Sequence, residues 1–110
     1  MSTPSQLIVV LCTVPDQSTA EKLGRGLVEE RLAACVNAIP GVRSFYRWQG
    51  ETHAEMEIQL LIKTRPERFD ELAAWLAENH PYDVPEIVAL TAERVSESYL
   101  SWAVEQTTKP

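Results

Sequence analysis

The chain has 110 residues, 45% hydrophobic and 24% charged, with 10 Lys and Arg against 16 Asp and Glu, a formal charge of −6 at pH 7. That length and mix suit one globular domain, residues 1–110 with an ordered core over about 6–107, and exclude collagen, coiled coil and disorder. The acidic balance speaks against a nucleic-acid or anionic-membrane surface, since each needs surplus Lys and Arg to displace counterions.

Residues 6–14, QLIVVLCTV, form a short, continuous, β-branched run that predicts a strand buried on both faces. Its apolar core, Leu7 to Cys12, is about a third of the length a membrane helix needs, so a cytosolic chain with no membrane contact is expected. Ser18 and Glu21 then have capping-box spacing, and Ala20, Leu23, Leu27 and Ala34 follow at helical intervals. A short apolar piece, Cys35 to Ile39, is stopped by Pro40-Gly41.

From Val42 to Thr64 the period changes to two, which predicts a long hairpin turning at Gln49-Gly50. In its second arm Met56, Ile58, Leu60 and Ile62 share one face, while Glu55, Glu57, Gln59 and Lys63 share the other. Thr64, Pro66 and Glu67 predict the start of a second helix with Phe69, Leu72, Ala73 and Leu76 on its buried stripe, ending near His80 before Pro81. Pro81 to Pro85 is a loop, Glu86 to Thr91 a strand, and about Ser96 to Gln106 a last helix. Met1 to Ser5 and Thr107 to Pro110 read as loose ends.

The order β-α-β-β-α-β-α defines an α+β chain, a ferredoxin-like βαββαβ unit with an extra C-terminal helix. Two long helices cover only one face of such a sheet, yet Leu7, Val9 and Leu11 make the first strand apolar on the other as well. The short last helix, Tyr46 and Trp48 can shield part of that face; a second copy of the chain is the more economical cover, so self-association is expected.

No Gly-rich phosphate loop, nucleophile elbow or zinc motif is present. Cys12 and Cys35, the two cysteines, form no Cys-x-x-Cys pair and should stay reduced. By residue type alone Cys12 and Cys35 read as small core hydrophobes, His80 as a helix C-terminal cap, and Trp48, Trp75 and Trp102 as packing. A soft or borderline divalent cation could be taken by thiolate and imidazole, and an imidazole beside Asp83 or Glu86 could serve as a general base. An RNA-recognition module shares the element order but needs basic and aromatic strands that this chain lacks.

Taken together, the segments from Val10 to Pro15, Leu32 to Val42 with Ser44, Tyr46, Trp48 and Gly50, Ile62 to Thr64, and His80 to Ile87 closely resemble the divalent-cation tolerance protein CutA family over about residues 7–106. The resemblance implies a tight homotrimer, similar in architecture to the PII signal proteins, associated with copper tolerance, with no reaction of its own and no protein partner named. It implies metal ligands at Cys12, Asn79 and His80. Asn79 stands where the family has a His, and a carboxamide is the poorer copper ligand, so binding should be weak. Cys35, Lys63, Tyr82 and Glu86 match motif positions that resemble a subunit-boundary cleft. A signalling or scaffold role is expected, the alternative being an enzyme or small-molecule sensor using a cleft around Lys63, His80 and Glu86.

Overall fold

A computed structural model of the chain describes residues 2, 3 and 6–109. After β1 (Ser2–Thr3), the strand β2 spans Ile8–Val14, and its burial alternates strictly. Ile8, Val10, Cys12 and Val14 face the helices and are buried, whereas Val9, Leu11 and Thr13 point to the other face. Of the expected loose ends, Met1, Pro4, Ser5 and Pro110 lie outside the described residues. Ser2–Thr3 pairs with a later strand, and Thr107 is buried and tied to Arg65 by bonds of 2.9 and 3.0 Å.

Helix α1 (Gln17–Glu29) is capped earlier than the Ser18–Glu21 box predicts. Asp16 Oδ1 accepts from the Thr19 N–H at 2.8 Å and from Ser18 Oγ at 3.1 Å. A carboxylate there satisfies an orphan donor and complements the helix dipole, so it displaces Ser18 as the cap. Glu21 pairs instead with Arg25 at 2.9 Å, one turn on. Ala34 falls outside the helix, in the link to β3.

The apolar piece at 35–39 and the hairpin's first arm are one strand, β3 (Cys35–Trp48), not two elements. Pro40-Gly41 does not end it, because a register shift between Ile39 and Val42 absorbs one extra residue, with Gly41 at φ +80°. Such a bulge keeps pairing on either side while changing the parity of the side chains. Ile39 and Val42 therefore stand opposite Gln59 and Glu57 of β4 (Glu51–Thr64), on one and the same face.

Thr64 does not cap the second helix; its hydroxyl donates to the Leu32 carbonyl at 2.7 Å, and a 3-10 turn, Pro66–Arg68, leads into α2 (Phe69–Asn79). The chain then runs through a loop to β5 (Val88–Thr91), two residues shorter at its start than expected, and through β6 (Val95–Ser96), which pairs with β1, into α3 (Glu97–Gln106).

The main sheet has the order β3-β4-β2-β5 and is antiparallel throughout, the ferredoxin-like arrangement. Leu23 and Leu27 of α1 and Leu72 and Leu76 of α2 close over Val10, Cys12, Leu60 and Ile62 in one core, each buried leucine contributing roughly 1.5–3 kcal/mol. A second, smaller core sits under α3, where Leu100 and Ala103 cover Leu7 and Ala34. Leu7 is thus shielded. Val9, Leu11 and Leu61 are only partly covered, and Val88 and Leu90 beside them are 46% and 51% exposed. Met56, on the helix-facing side by alternation, is also exposed, because the hairpin runs past Val14, where β2 stops pairing.

Candidate functional site

The open sheet face is organised in rows by its register. Cys35, Lys63, Val9 and Leu90 lie side by side in one row, and Asn37, Leu61, Leu11 and Val88 in the next. Further along β4 come Gln59, paired with Thr13 and Ile39, and then Glu57, paired with Val42. Against these two residues folds the loop that follows α2.

That loop is set by Pro81, which forces His80 out of the helix into an extended conformation at φ −80°, ψ 140°. His80 is buried, and its Nε2–H donates to the Thr13 carbonyl at 2.8 Å while its Nδ1 accepts from the Tyr82 N–H at 3.1 Å. Because a carbonyl only accepts and an amide N–H only donates, these two bonds fix the ring tautomer. The His80 and Tyr82 rings lie 4.8 Å apart.

Tyr82 then donates its hydroxyl to Glu57 Oε2 at 2.6 Å, and Gln59 Nε2 donates to Glu86 Oε1 at 3.3 Å. Burial and the Glu57 carboxylate push the Tyr82 phenol well above its ordinary range. Nearby, Tyr46 donates to Glu55 Oε1 at 2.5 Å and stacks on His53 at 5.3 Å; that hydrogen bond holds its phenol up at about 12. Between loop and strands is a cleft of about 680 Å³ whose walls include Thr13, Tyr46, Trp48, Glu57, Tyr82 and Glu86.

The residues singled out from sequence divide among three places. Tyr82 and Glu86 line the cleft and His80 braces it from behind. Lys63 and Cys35 are paired on the same face but do not line it: Lys63 bonds to Asn37, and Cys35 meets Tyr99. Cys12 is fully buried on the opposite, helix-facing side, where its Sγ and the His80 Nε2 contact the same Thr13 carbonyl, the former at 3.9 Å.

Tested as a copper donor set, Cys12, His80 and Asn79 do not present one in this arrangement. Burial, then the charges of Glu86 and Glu57, push the Cys12 thiol up to about 12, which keeps it protonated and a poor ligand at neutral pH. Both His80 nitrogens are engaged, and the Asn79 amide donates to the Trp75 carbonyl at 2.9 Å. Among the described residues no three His, Cys, Asp or Glu side chains are grouped to hold a metal ion.

A family model described as CutA1 divalent ion tolerance protein matches residues 8–106. The chain belongs to this family. It is 50% identical over 99 residues to the divalent-cation tolerance protein CutA of Thermus thermophilus, covering 90% of this chain and 96% of that one. It is 43% identical over 100 residues to the chloroplastic protein CutA of Arabidopsis thaliana, spanning 91% of this chain and 55% of the plant protein. Among solved CutA structures, that from Synechococcus elongatus superposes with a TM-score of 0.93 at 37% identity over 98% of this chain and 96% of that one. The Archaeoglobus fulgidus relative, with a TM-score of 0.90 at 34% identity over 93% of this chain and 99% of that one, is described as a periplasmic divalent cation tolerance protein. In this CutA chain no helix among the described residues is long and apolar enough to cross a membrane.

Sequence reasoning did not place Glu57 and Gln59 in the site of this CutA chain, nor Tyr46 and Trp48 beside them. The period-two alternation puts these residues on the open face; what was missing was the loop after α2, whose Tyr82 and Glu86 close on Glu57 and Gln59.

Proposed function

We propose that this CutA chain acts in divalent-cation tolerance as a cytosolic homotrimer that binds copper weakly and serves a signalling or scaffold role, without a reaction of its own. The observation that carries the reading is the open face of the sheet, where Val9, Leu11 and Leu61 form an apolar strip bordered by the exposed Val88 and Leu90. Covering such a strip with copies of the same chain removes apolar area from water at roughly 25 cal/mol per Å². Three copies is the number the CutA and PII-like resemblance implies.

The copper reading rests on the family resemblance and not on a formed donor set: a cation at Cys12 and His80 has to displace a thiol proton and a ring hydrogen bond, so the binding proposed is weak. Light scattering on the purified protein should give three times the chain mass, and Leu61→Glu should reduce it to one. A wild-type particle at the single-chain mass overturns the assembly. Titration with Cu(II) and Zn(II) should give heat that is lost in Cys12→Ala and His80→Ala; identical heats in all three proteins overturn the metal reading.

A second reading, a small-molecule sensor, is favoured by the cleft between Glu57, Trp48 and the loop carrying Tyr82 and Glu86. Its cations are not on the walls: Lys63 lies rows away.

A further inference from the structure

We propose that the cleft of about 680 Å³ binds an organic ammonium ion, held between the carboxylates of Glu57 and Glu86 and the rings of Tyr46, Trp48 and Tyr82. Glu57 is only 6% exposed, and among the described residues its one hydrogen bond comes from Tyr82 and no ion pair includes it, Asp83 or Glu86. No Lys, Arg or His lines the cleft, while Glu57, Asp83 and Glu86 do. The other Glu57 oxygen has no protein donor among the described residues, so a cation entering the cleft meets an unpaired carboxylate.

The shape of the site selects the kind of cation. A bare divalent ion needs several donors converging at about 2.0–2.6 Å, and no such group exists among the described residues. Glu57 and Glu86 are instead tethered to different partners, Tyr82 and Gln59, and stand on different elements. The cavity has the size of a small organic ligand site, and aromatic faces attract an ammonium through their quadrupoles. Rings and carboxylates lining one cleft therefore suit a cation that carries its own apolar body.

This inference rests on the second reading, that the cleft is a ligand site; trimer formation is read separately by light scattering. The test is calorimetric titration of the full, assembled chain with benzylammonium and its near-isosteres benzyl alcohol and benzoate at neutral pH. Benzylammonium should bind once per chain, roughly tenfold or more tighter than either isostere, since one charge-assisted hydrogen bond is worth about that factor. Glu86→Gln, which keeps an acceptor for Gln59, and Trp48→Ala should each weaken it roughly tenfold, with Lys63→Ala unchanged. Melting curves check that the variants fold. Equal binding of all three probes leaves a ligand site but overturns the ammonium class, and no heat from any of them overturns the cleft reading as well. Binding that survives both Glu86→Gln and Trp48→Ala also overturns the proposal, since the ion is then elsewhere.

Discussion

Tyr82 donates its phenolic hydrogen to Glu57 Oε2 across 2.6 Å, joining the loop after α2 to the middle of β4, 25 residues away in sequence. Through its backbone N–H the same tyrosine fixes His80, and His80 reaches the Thr13 carbonyl at the end of β2. Strands β2 and β4 thus meet at one loop, and the cleft lies between that loop and the hairpin of β3 and β4.

Tyr82→Phe removes the donor but leaves a buried carboxylate, so it should cost about 1–3 kcal/mol, the usual penalty for orphaning such a group. Urea denaturation measures this. A variant as stable as the parent shows that Glu57 is satisfied by other means.

Cys12 should resist alkylation in the folded protein at mildly alkaline pH and react once the chain is denatured. The sign of its pH dependence follows from its thiol, which rises from 9.0 to about 12 on folding because burial opposes the thiolate. A raised folded value stabilises fully below pH 9, and that stability is lost as pH climbs from 9 toward 12. Cys12→Ala should flatten the alkaline limb of the stability profile; an unchanged limb disproves the assignment.

Gly24 and Gly26 sit two residues apart in α1 and should respond oppositely to alanine. A methyl on Gly24 meets Val36 at 3.8 Å, ordinary contact, so Gly24→Ala should gain about 0.5–1 kcal/mol from helix propensity. A methyl on Gly26 meets the Trp75 ring at 2.6 Å, and the rigid ring must move, so Gly26→Ala should lose about 1–3 kcal/mol despite the same propensity gain. Thermal or urea melts of both variants decide it, with Trp75→Leu expected to rescue Gly26→Ala.

Asp16→Ala should lower the melting temperature more than Ser18→Ala, because Asp16 is the residue that accepts the Thr19 N–H. Those hydrogen bonds hold the Asp16 carboxyl below the usual carboxylate range. A depressed folded value contributes above the unfolded value and is lost as pH falls through the folded one, so the difference between the two variants should shrink in acid. Equal losses for both variants restore Ser18 as the cap.

The order of the four main strands and three α-helices and the two-sided greasiness of the long first strand were legible in sequence, though not the short β1–β6 pair, since continuous β-branched runs and period-two or helical spacing are local properties of the chain. The CutA resemblance was likewise carried by contiguous motifs, and the family match over 8–106 agrees with it. Only the tertiary structure decided which acids and aromatics share a site. At Pro40-Gly41 the sequence shows a break, and only the folded sheet shows that it is a bulge inside one strand, which keeps Cys35 to Ile39 and Val42 to Trp48 paired with β4. The cleft itself depends on a loop closing onto a strand 25 residues distant, where the Tyr82 hydroxyl meets Glu57. Those are long-range contacts, and only the folded chain brings their partners together.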